Sequence, residues 1–109
     1  MAQSIITIKK RSTFVFIKDN GKFLRAKSFN IQILQDNTLN EDIAVGYTAT
    51  KRLGNAVTRN KAKRRMREMA RKVITKYGKI NSYYVLIAKT QIFEIAFSTQ
   101  EIELKKLIS

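Results

Sequence analysis

Hydrophobic residues recur along this chain with two periods, about 3.6 residues, which is typical of helices, and two residues, which is typical of strands. In order, they predict a helix over 12–19, a strand within 22–35, a strand over 43–50, a helix over 56–77, a strand over 82–89 and a last helix after Ser98. The order helix-strands-helix-strand-helix predicts an α+β fold, a two-layer α–β sandwich with helices on a mostly antiparallel sheet. The length fits a single domain over 1–109.

The first two predicted strands each carry a bulky side and a smooth side. The bulky residues are Phe29, Ile31, Ile33, Val45, Tyr47 and Ala49. The smooth side consists of small or polar residues, namely Asn30, Gln32, Ala44, Gly46, Thr48 and Thr50. We therefore expect the bulky sides to form the core and the smooth side to stay open. In the last strand, Tyr83 and Tyr84 alternate faces, so one of the two is expected to be buried.

Capping residues indicate where the helices begin and end. Ser12 is a candidate N-cap of the first helix and Asn55 of the long helix over 56–77. Gly21 and Gly78 stand where these two helices should end. The last helix is predicted by a capping box and a hydrophobic staple, formed by Ser98, Glu101, Phe97 and Ile102.

Composition narrows the chemistry. The chain has 22 Lys and Arg against 8 Asp and Glu, a net charge of +14, and it contains neither Cys nor His. Without Cys there is no disulfide and no cysteine zinc site, and without His there is no Ser-His or Cys-His nucleophilic centre. The N-terminal apolar run is too short for a signal peptide and no stretch could span a bilayer, so we expect a cytoplasmic protein. The charge excess predicts a polyanionic partner, either nucleic acid or an anionic membrane surface.

The positive charge is concentrated in one segment, because ten of the 22 basic residues lie within 51–72 and Glu68 is the one acid there. On a helical wheel, the apolar stripe of 56–77 consists of Ala62, Met66, Met69, Ala70, Val73 and Tyr77. A flank beside it holds Asn60, Lys63, Arg64, Arg67 and Arg71, and the far side holds Lys61, Arg65, Glu68 and Lys72. Like charges four residues apart destabilise a helix, so this pattern favours a polyphosphate ligand over a role in folding.

Several other classes of protein compete with this interpretation. A membrane-surface helix needs Leu, Phe or Trp in its apolar stripe, and this stripe is mainly Ala and Met. A self-sufficient nuclease needs converging carboxylates, whereas the eight acids are scattered along the chain. A ribosomal protein or RNA chaperone fits the composition. A sequence-specific DNA-binding protein is less consistent, since no helix-turn-helix pair is evident.

The segment from Lys51 to Glu68, KRLGNAVTRNKAKRRMRE, strongly resembles the signature of the bacterial ribonuclease P protein family. The resemblance covers nearly the whole chain. Phe14 lies seven residues before Gly21, as in the first helix of the family, and a strand with an aromatic residue at Phe29 follows. VGYT at 45–48 leads into the signature, and YYVLIAK at 83–89 is similar to the late buried strand of the family.

The resemblance implies a protein subunit that has no catalytic and no metal-ligating residues of its own. In such a complex, an RNA subunit with bound Mg²⁺ removes the 5′ leader of precursor tRNA. The implied partners are this RNA subunit and precursor tRNA, with no membrane and no obligate protein partner. The resemblance also implies an α–β sandwich whose long basic helix forms a left-handed βαβ crossover, although ordinary crossovers are right-handed.

The resemblance and the residue chemistry together predict two surfaces. RNA binding is expected at Lys51, Arg52, Asn55, Arg59, Asn60, Lys61, Lys63, Arg64, Arg67 and Arg71, whose cationic and amide groups suit phosphates. A cleft for the single-stranded leader is expected at Phe14, Lys18, Asn30, Gln32, Thr48 and Thr50, which offer stacking and hydrogen bonds without a fixed sequence code.

Some positions depart from the family pattern, and two roles stay open. Lys61 stands where Arg is usual, and an Arg-to-Lys change loses bidentate geometry; the next residue is Ala instead of a branched apolar residue. Lys18 and Gln32 stand where relatives can carry an aromatic residue, which weakens the stacking part of the leader cleft. Phe14 is either a core residue or a wall for a leader nucleotide, and Asn55 is either a helix cap or an RNA contact.

Overall fold

A computed structural model describes residues 5–109, so residues 1–4 of the N-terminal segment that was assessed as a signal peptide lie outside it. The strands are β1 (Ile5–Thr7), β2 (Lys22–Arg25), β3 (Phe29–Gln35), β4 (Ile43–Thr48) and β5 (Ser82–Ala88). The helices are α1 (Arg11–Asn20), α2 (Ala56–Met69), α3 (Thr75–Tyr77) and α4 (Phe97–Ile108). A π-helical turn over Ala70–Ile74 joins α2 to α3, and 3₁₀ turns occupy Asn37–Leu39, Lys51–Leu53 and Thr90–Phe93. The predicted helices and strands are confirmed, except that segment 22–35, predicted to contain one strand, forms the two strands β2 and β3. β1 is an addition.

The five strands form one mixed sheet in the order β1-β4-β5-β3-β2. β4 pairs in parallel with β1 and β5, whereas β3 pairs antiparallel with β5 and β2. The prediction of a mostly antiparallel sheet is therefore wrong, since two of the four pairings are parallel. β1 was not predicted because three residues are too few to show a period of two. The parallel β4–β5 pair needs a crossover, which α2 supplies; its left hand stays a prediction.

The bulky face of the sheet packs against α2 and α4 and forms the main core. Its buried members include the predicted strand residues Phe29, Ile31, Val45 and Tyr47, and the predicted helix residues Ala62, Met66, Met69 and Val73. Tyr84 is the buried member of the tyrosine pair, and its hydroxyl accepts a hydrogen bond from the backbone N–H of Lys79 at 3.0 Å. The α–β sandwich is thus confirmed on this face.

The smooth face of the sheet is covered only in part, by α1. Ile17 of α1 is fully buried and belongs to a second cluster with Ala44 and Val85 of the sheet. The ring of Phe14 lies directly on Gly46, because a Cβ atom at residue 46 would come within 2.5 Å of the ring. α1 therefore adds a partial third layer to the sandwich, and glycine is needed where this layer approaches the sheet.

The long helix contains an irregularity that its periodicity did not predict. The π-helical turn adds one residue to a helical turn, which rotates each later residue by about 100° relative to a regular α-helix. A regular helix would place Ile74 beside the basic flank, but Ile74 is fully buried. Tyr77, predicted in the apolar stripe, is 38% exposed, so the predicted stripe is wrong at its last position.

Two predicted N-caps are wrong. α1 begins one residue before Ser12, which places Ser12 inside the helix. α4 begins at Phe97, so Ser98 is also inside its helix, and Ile102 is 58% exposed and cannot form the staple. Phe97 packs against the main core as part of α4, which explains the early start of this helix. The predicted helix ends at Gly21 and Gly78 are confirmed.

A buried polar contact joins α2 to α4. Arg65 donates from Nε to the Gln100 side-chain oxygen at 3.0 Å and from Nη2 to the Ile95 carbonyl at 3.1 Å. Gln100 is fully buried and donates its amide to the carbonyl of Ile92 at 2.8 Å. Arg65, on the far side of the predicted wheel, therefore contacts α4 and serves the fold.

Replacing Gln100 with leucine is expected to destabilise the protein by about 1–3 kcal/mol, because a buried carbonyl and a guanidinium N–H lose their partners. Urea unfolding followed by circular dichroism measures this difference. The matched control is Gln91→Leu at an exposed position, where a change within about 0.5 kcal/mol is expected. Equal stabilities of the two variants would show that the contact contributes nothing.

Candidate nucleic-acid interface

A basic ridge follows the exposed flank of α2 and the turn before it. We define the ridge as Lys51, Arg52, Asn60, Lys63, Arg64 and Arg67. All but the half-buried Lys63 are exposed. Within residues 5–109, no acidic side chain pairs with any member of the ridge. The ridge cations are therefore available to an anionic ligand.

The start of α2 is stabilised by its own residues. Asn55 is the N-cap, and its side-chain oxygen accepts hydrogen bonds from the Thr58 N–H and hydroxyl, both at 3.0 Å. Arg59 donates from Nη1 to the Gly54 carbonyl at 2.9 Å and is half-buried. The prediction that Asn55 is a helix cap is thus confirmed. Arg59 stabilises the turn before α2 through its hydrogen bond to Gly54.

Arg67 connects the ridge to the sheet. Its guanidinium carbon lies 5.4 Å from the ring centroid of Tyr47 in β4, a cation–π contact. Burial raises the pKa of Tyr47 above its ordinary value, and the charge of Arg67 opposes this shift. Tyr47 therefore stays neutral at physiological pH, and its ring packs against the guanidinium of Arg67.

Two further predicted RNA-binding residues, besides Asn55 and Arg59, make contacts away from the ridge. Arg71 forms an ion pair with Glu68, and the hydrogen bond from Arg71 lowers the pKa of that carboxyl below its ordinary value. Lys61 places its ammonium 5.3 Å from the ring centroid of Phe93, on the side of α2 that faces α4. Neither residue belongs to the ridge.

The predicted leader residues converge on one cleft between α1 and the smooth face of the sheet. Its volume is about 340 Å³, and its lining includes Phe14, Lys18, Gln32, Thr48 and Thr50, five of the six predicted positions. Val85 and Ile87 of β5 form the floor, and Arg11 and Val15 of α1 complete the wall. Phe14 packs on Gly46 and also lines the cleft, so its place in the fold is shown, while a contact with a leader nucleotide stays a prediction.

A second, larger hollow of about 600 Å³ adjoins the cleft. It contains the sixth predicted position, Asn30, and shares Thr50 and Ile87 with the cleft. Lys51 and Arg52 of the ridge also line it, so the cleft leads to the ridge through this hollow. The two surfaces are therefore continuous.

The sequence pattern missed two cations of these hollows. Arg11 lines the cleft and Lys89 the adjoining hollow, where its ammonium donates to the Ala26 carbonyl at 2.7 Å. Arg11 directly precedes the predicted first helix over 12–19, and Lys89 is the final residue of the predicted last strand over 82–89. A basic residue at the end of an element that borders the open face is a signal from which both cations could have been predicted.

Between residues 5 and 109, no three potential metal-ligating side chains of His, Cys, Asp or Glu come together. None of the helices formed there has the length and apolar character required to cross a bilayer.

The fold and these surfaces define a small, strongly basic α+β sandwich with a cationic helix beside an open sheet face. Within that class, the chain belongs to the ribonuclease P protein family, because a sequence model described as "Ribonuclease P" matches residues 3–109. The family resemblance read from the signature is thereby confirmed.

Individual relatives agree with the family assignment. The ribonuclease P protein component of Caulobacter vibrioides is 39% identical over 82 residues, which cover 75% of this chain and 54% of that protein. The chain thus spans about half the length of this relative. The component of Brucella suis is 29% identical over 98% of this chain and 80% of its own length. Among solved structures, the ribonuclease P protein of Thermotoga maritima superposes with a TM-score of 0.78 at 25% identity and covers 94% of both chains.

Proposed function

We propose that this protein is the protein subunit of a ribonuclease P ribonucleoprotein. It binds the catalytic RNA subunit and the 5′ leader of precursor tRNA, and it supports endonucleolytic removal of the leader in the cytoplasm. One observation carries the proposal most strongly: five of six predicted leader residues line a single cleft, and that cleft is continuous with the basic ridge through Thr50.

The ridge supplies the affinity for folded RNA. Arg64 and Arg67 offer planar guanidinium groups that bind phosphates with two hydrogen bonds, and Lys63 adds a point charge. Binding to the RNA releases condensed counterions and relieves the repulsion between like charges on α2.

The cleft supplies a different kind of recognition. Phe14 offers an aromatic face, and Gln32, Thr48 and Thr50 offer hydrogen bonds to any base or sugar. Base stacking on aromatic side chains tolerates every base, so the cleft suits leaders of variable sequence. In this scheme Mg²⁺ serves the RNA subunit, and the protein residues bind and orient the substrate.

Reconstitution tests this proposal. Adding the protein to its cognate RNA subunit and a precursor tRNA, at Mg²⁺ near physiological concentration, is expected to increase the rate of 5′ cleavage over RNA alone. Protein without RNA is expected to leave the precursor intact. Absence of stimulation, or metal-dependent cleavage by RNA-free protein that is lost on replacing one carboxylate, would contradict the proposal.

A further inference from the structure

Edge strand β2 presents an aromatic residue on the same face of the sheet as the cleft. Leu24 packs against the main core, so its neighbours Phe23 and Arg25 point to the opposite, smooth face. Phe23 is 47% exposed, although a large apolar side chain in a strand is ordinarily covered. The Arg25 guanidinium carbon lies 5.6 Å from the centroid of the Phe23 ring.

The strand register places Phe23 in line with the cleft. Phe23 is the direct partner of Gln32 in β3, Gln32 is the partner of Val85 in β5, and Val85 is the partner of Gly46 in β4. The ring of Phe14, from α1, packs directly on Gly46. One row across the sheet therefore begins under Phe14, crosses two cleft residues and ends at Phe23, over roughly 14 Å for three strand spacings.

We infer that Phe23 and Arg25 form a second stacking site for the single-stranded leader, at the edge of the sheet beyond Gln32. This inference rests on the proposed leader-binding function and extends it. The ring offers one face to a base, and the guanidinium beside it can bind the adjacent phosphate. Lys18 and Gln32 place no aromatic ring in the cleft. Phe23, on the strand next to Gln32, provides such a ring.

The charge of the surroundings favours RNA over another occupant of this patch. Arg11 and Lys18 line the cleft that leads to it, and the chain as a whole carries a net charge of +14. An apolar protein partner would meet these cations at the border of its interface, whereas a polyanion is attracted by all of them. A single strand of RNA is therefore the occupant to which the inference commits.

Tryptophan fluorescence tests the site directly, because the chain contains no tryptophan. The Phe23→Trp variant, assembled with the RNA subunit, is expected to be quenched by leader-bearing precursor tRNA and not by leaderless tRNA. Phe16→Trp is the matched control, since Phe16 is also a phenylalanine that is 47% exposed and does not line the cleft. Its fluorescence is expected to respond equally to both RNAs.

Affinity supplies the second measurement. Phe23→Ala is expected to weaken binding of leader-bearing precursor by about 5- to 10-fold, the loss typical of one stacked base, and to leave leaderless tRNA unaffected. Phe16→Ala is expected to change neither.

Wild-type affinity of Phe23→Ala for the leader-bearing precursor, in a holoenzyme that the wild-type protein does stimulate, would overturn this inference alone. Concentration-dependent self-association lost in Phe23→Ala, without a leader effect, would also overturn it. Failure of the wild-type protein to stimulate cleavage would overturn the proposed function and this inference together.

Discussion

Replacing Arg64 and Arg67 together with alanine is expected to weaken assembly with the RNA subunit by about 100-fold. Each guanidinium is exposed, free of acidic partners within residues 5–109 and placed on one flank of α2. Loss of one charge-assisted hydrogen-bonding group costs roughly 1.5–3 kcal/mol, about tenfold or more in affinity. The slope of log K against log salt should also fall by about two, since two phosphate contacts are removed. A salt series of equilibrium binding measurements checks both values.

The control for this variant removes equal charge from another place. Lys76 and Lys105 both lie against the ring of Tyr77, away from the ridge, at 5.6 and 4.4 Å from its centroid. Replacing both with alanine lowers the net charge by the same two units. If binding follows net charge alone, the two double variants will lose equal affinity, and the ridge is then not the binding surface. Stability of the Arg64 and Arg67 variant should change little, because the relief of repulsion between like charges on one helix offsets the loss of the cation–π contact between Arg67 and Tyr47.

The sequence predicts well those elements in which one local pattern decides both the secondary structure and the face that is buried. In β3 and β4 a single alternation decides both the secondary structure and the buried face, and Phe29, Ile31 and Val45 are buried as expected. Asn55 caps α2 because the cap bond is local, formed with a residue three positions away. The cleft residues could be grouped for the same reason, since small and polar side chains at every second position share a face.

The features that the sequence did not predict depend on contacts between distant segments. The Phe97 side chain packs on the core, and this tertiary contact outweighs the local capping box at Ser98. The π-helical turn buries Ile74, which a regular period excludes. Arg65 was grouped with solvent-facing cations because its partner Gln100 lies 35 residues away along the chain. In each case the decisive partner is remote in sequence, so local periodicity could not identify it.

The contact between Phe14 and Gly46 couples the fold to the cleft, and it gives the second large effect. A Cβ atom at residue 46 would lie 2.5 and 2.7 Å from two ring atoms of Phe14, so Gly46→Ala must displace the ring. We expect a loss of stability of about 1–3 kcal/mol, as for other overpacked sites. Because the ring is a wall of the cleft, the affinity for leader-bearing precursor should also fall, by about tenfold for one lost stacking partner. Thermal unfolding and precursor binding by the assembled ribonucleoprotein measure the two effects.

A second substitution separates the steric effect from the recognition effect. Phe14→Leu removes ring atoms from the overlap, so the double variant with Gly46→Ala should regain part of the stability while leader affinity stays low. Assembly with the RNA subunit should be unaffected in all three variants, because Asn60, Lys63, Arg64 and Arg67 of the ridge lie on α2, which packs on the face of the sheet opposite to Phe14. If the double variant recovered leader affinity along with stability, Phe14 would act only as a packing residue. Leader binding would then have to be assigned to other side chains of α1, because the contact between Phe14 and Gly46 would affect only the stability of the fold.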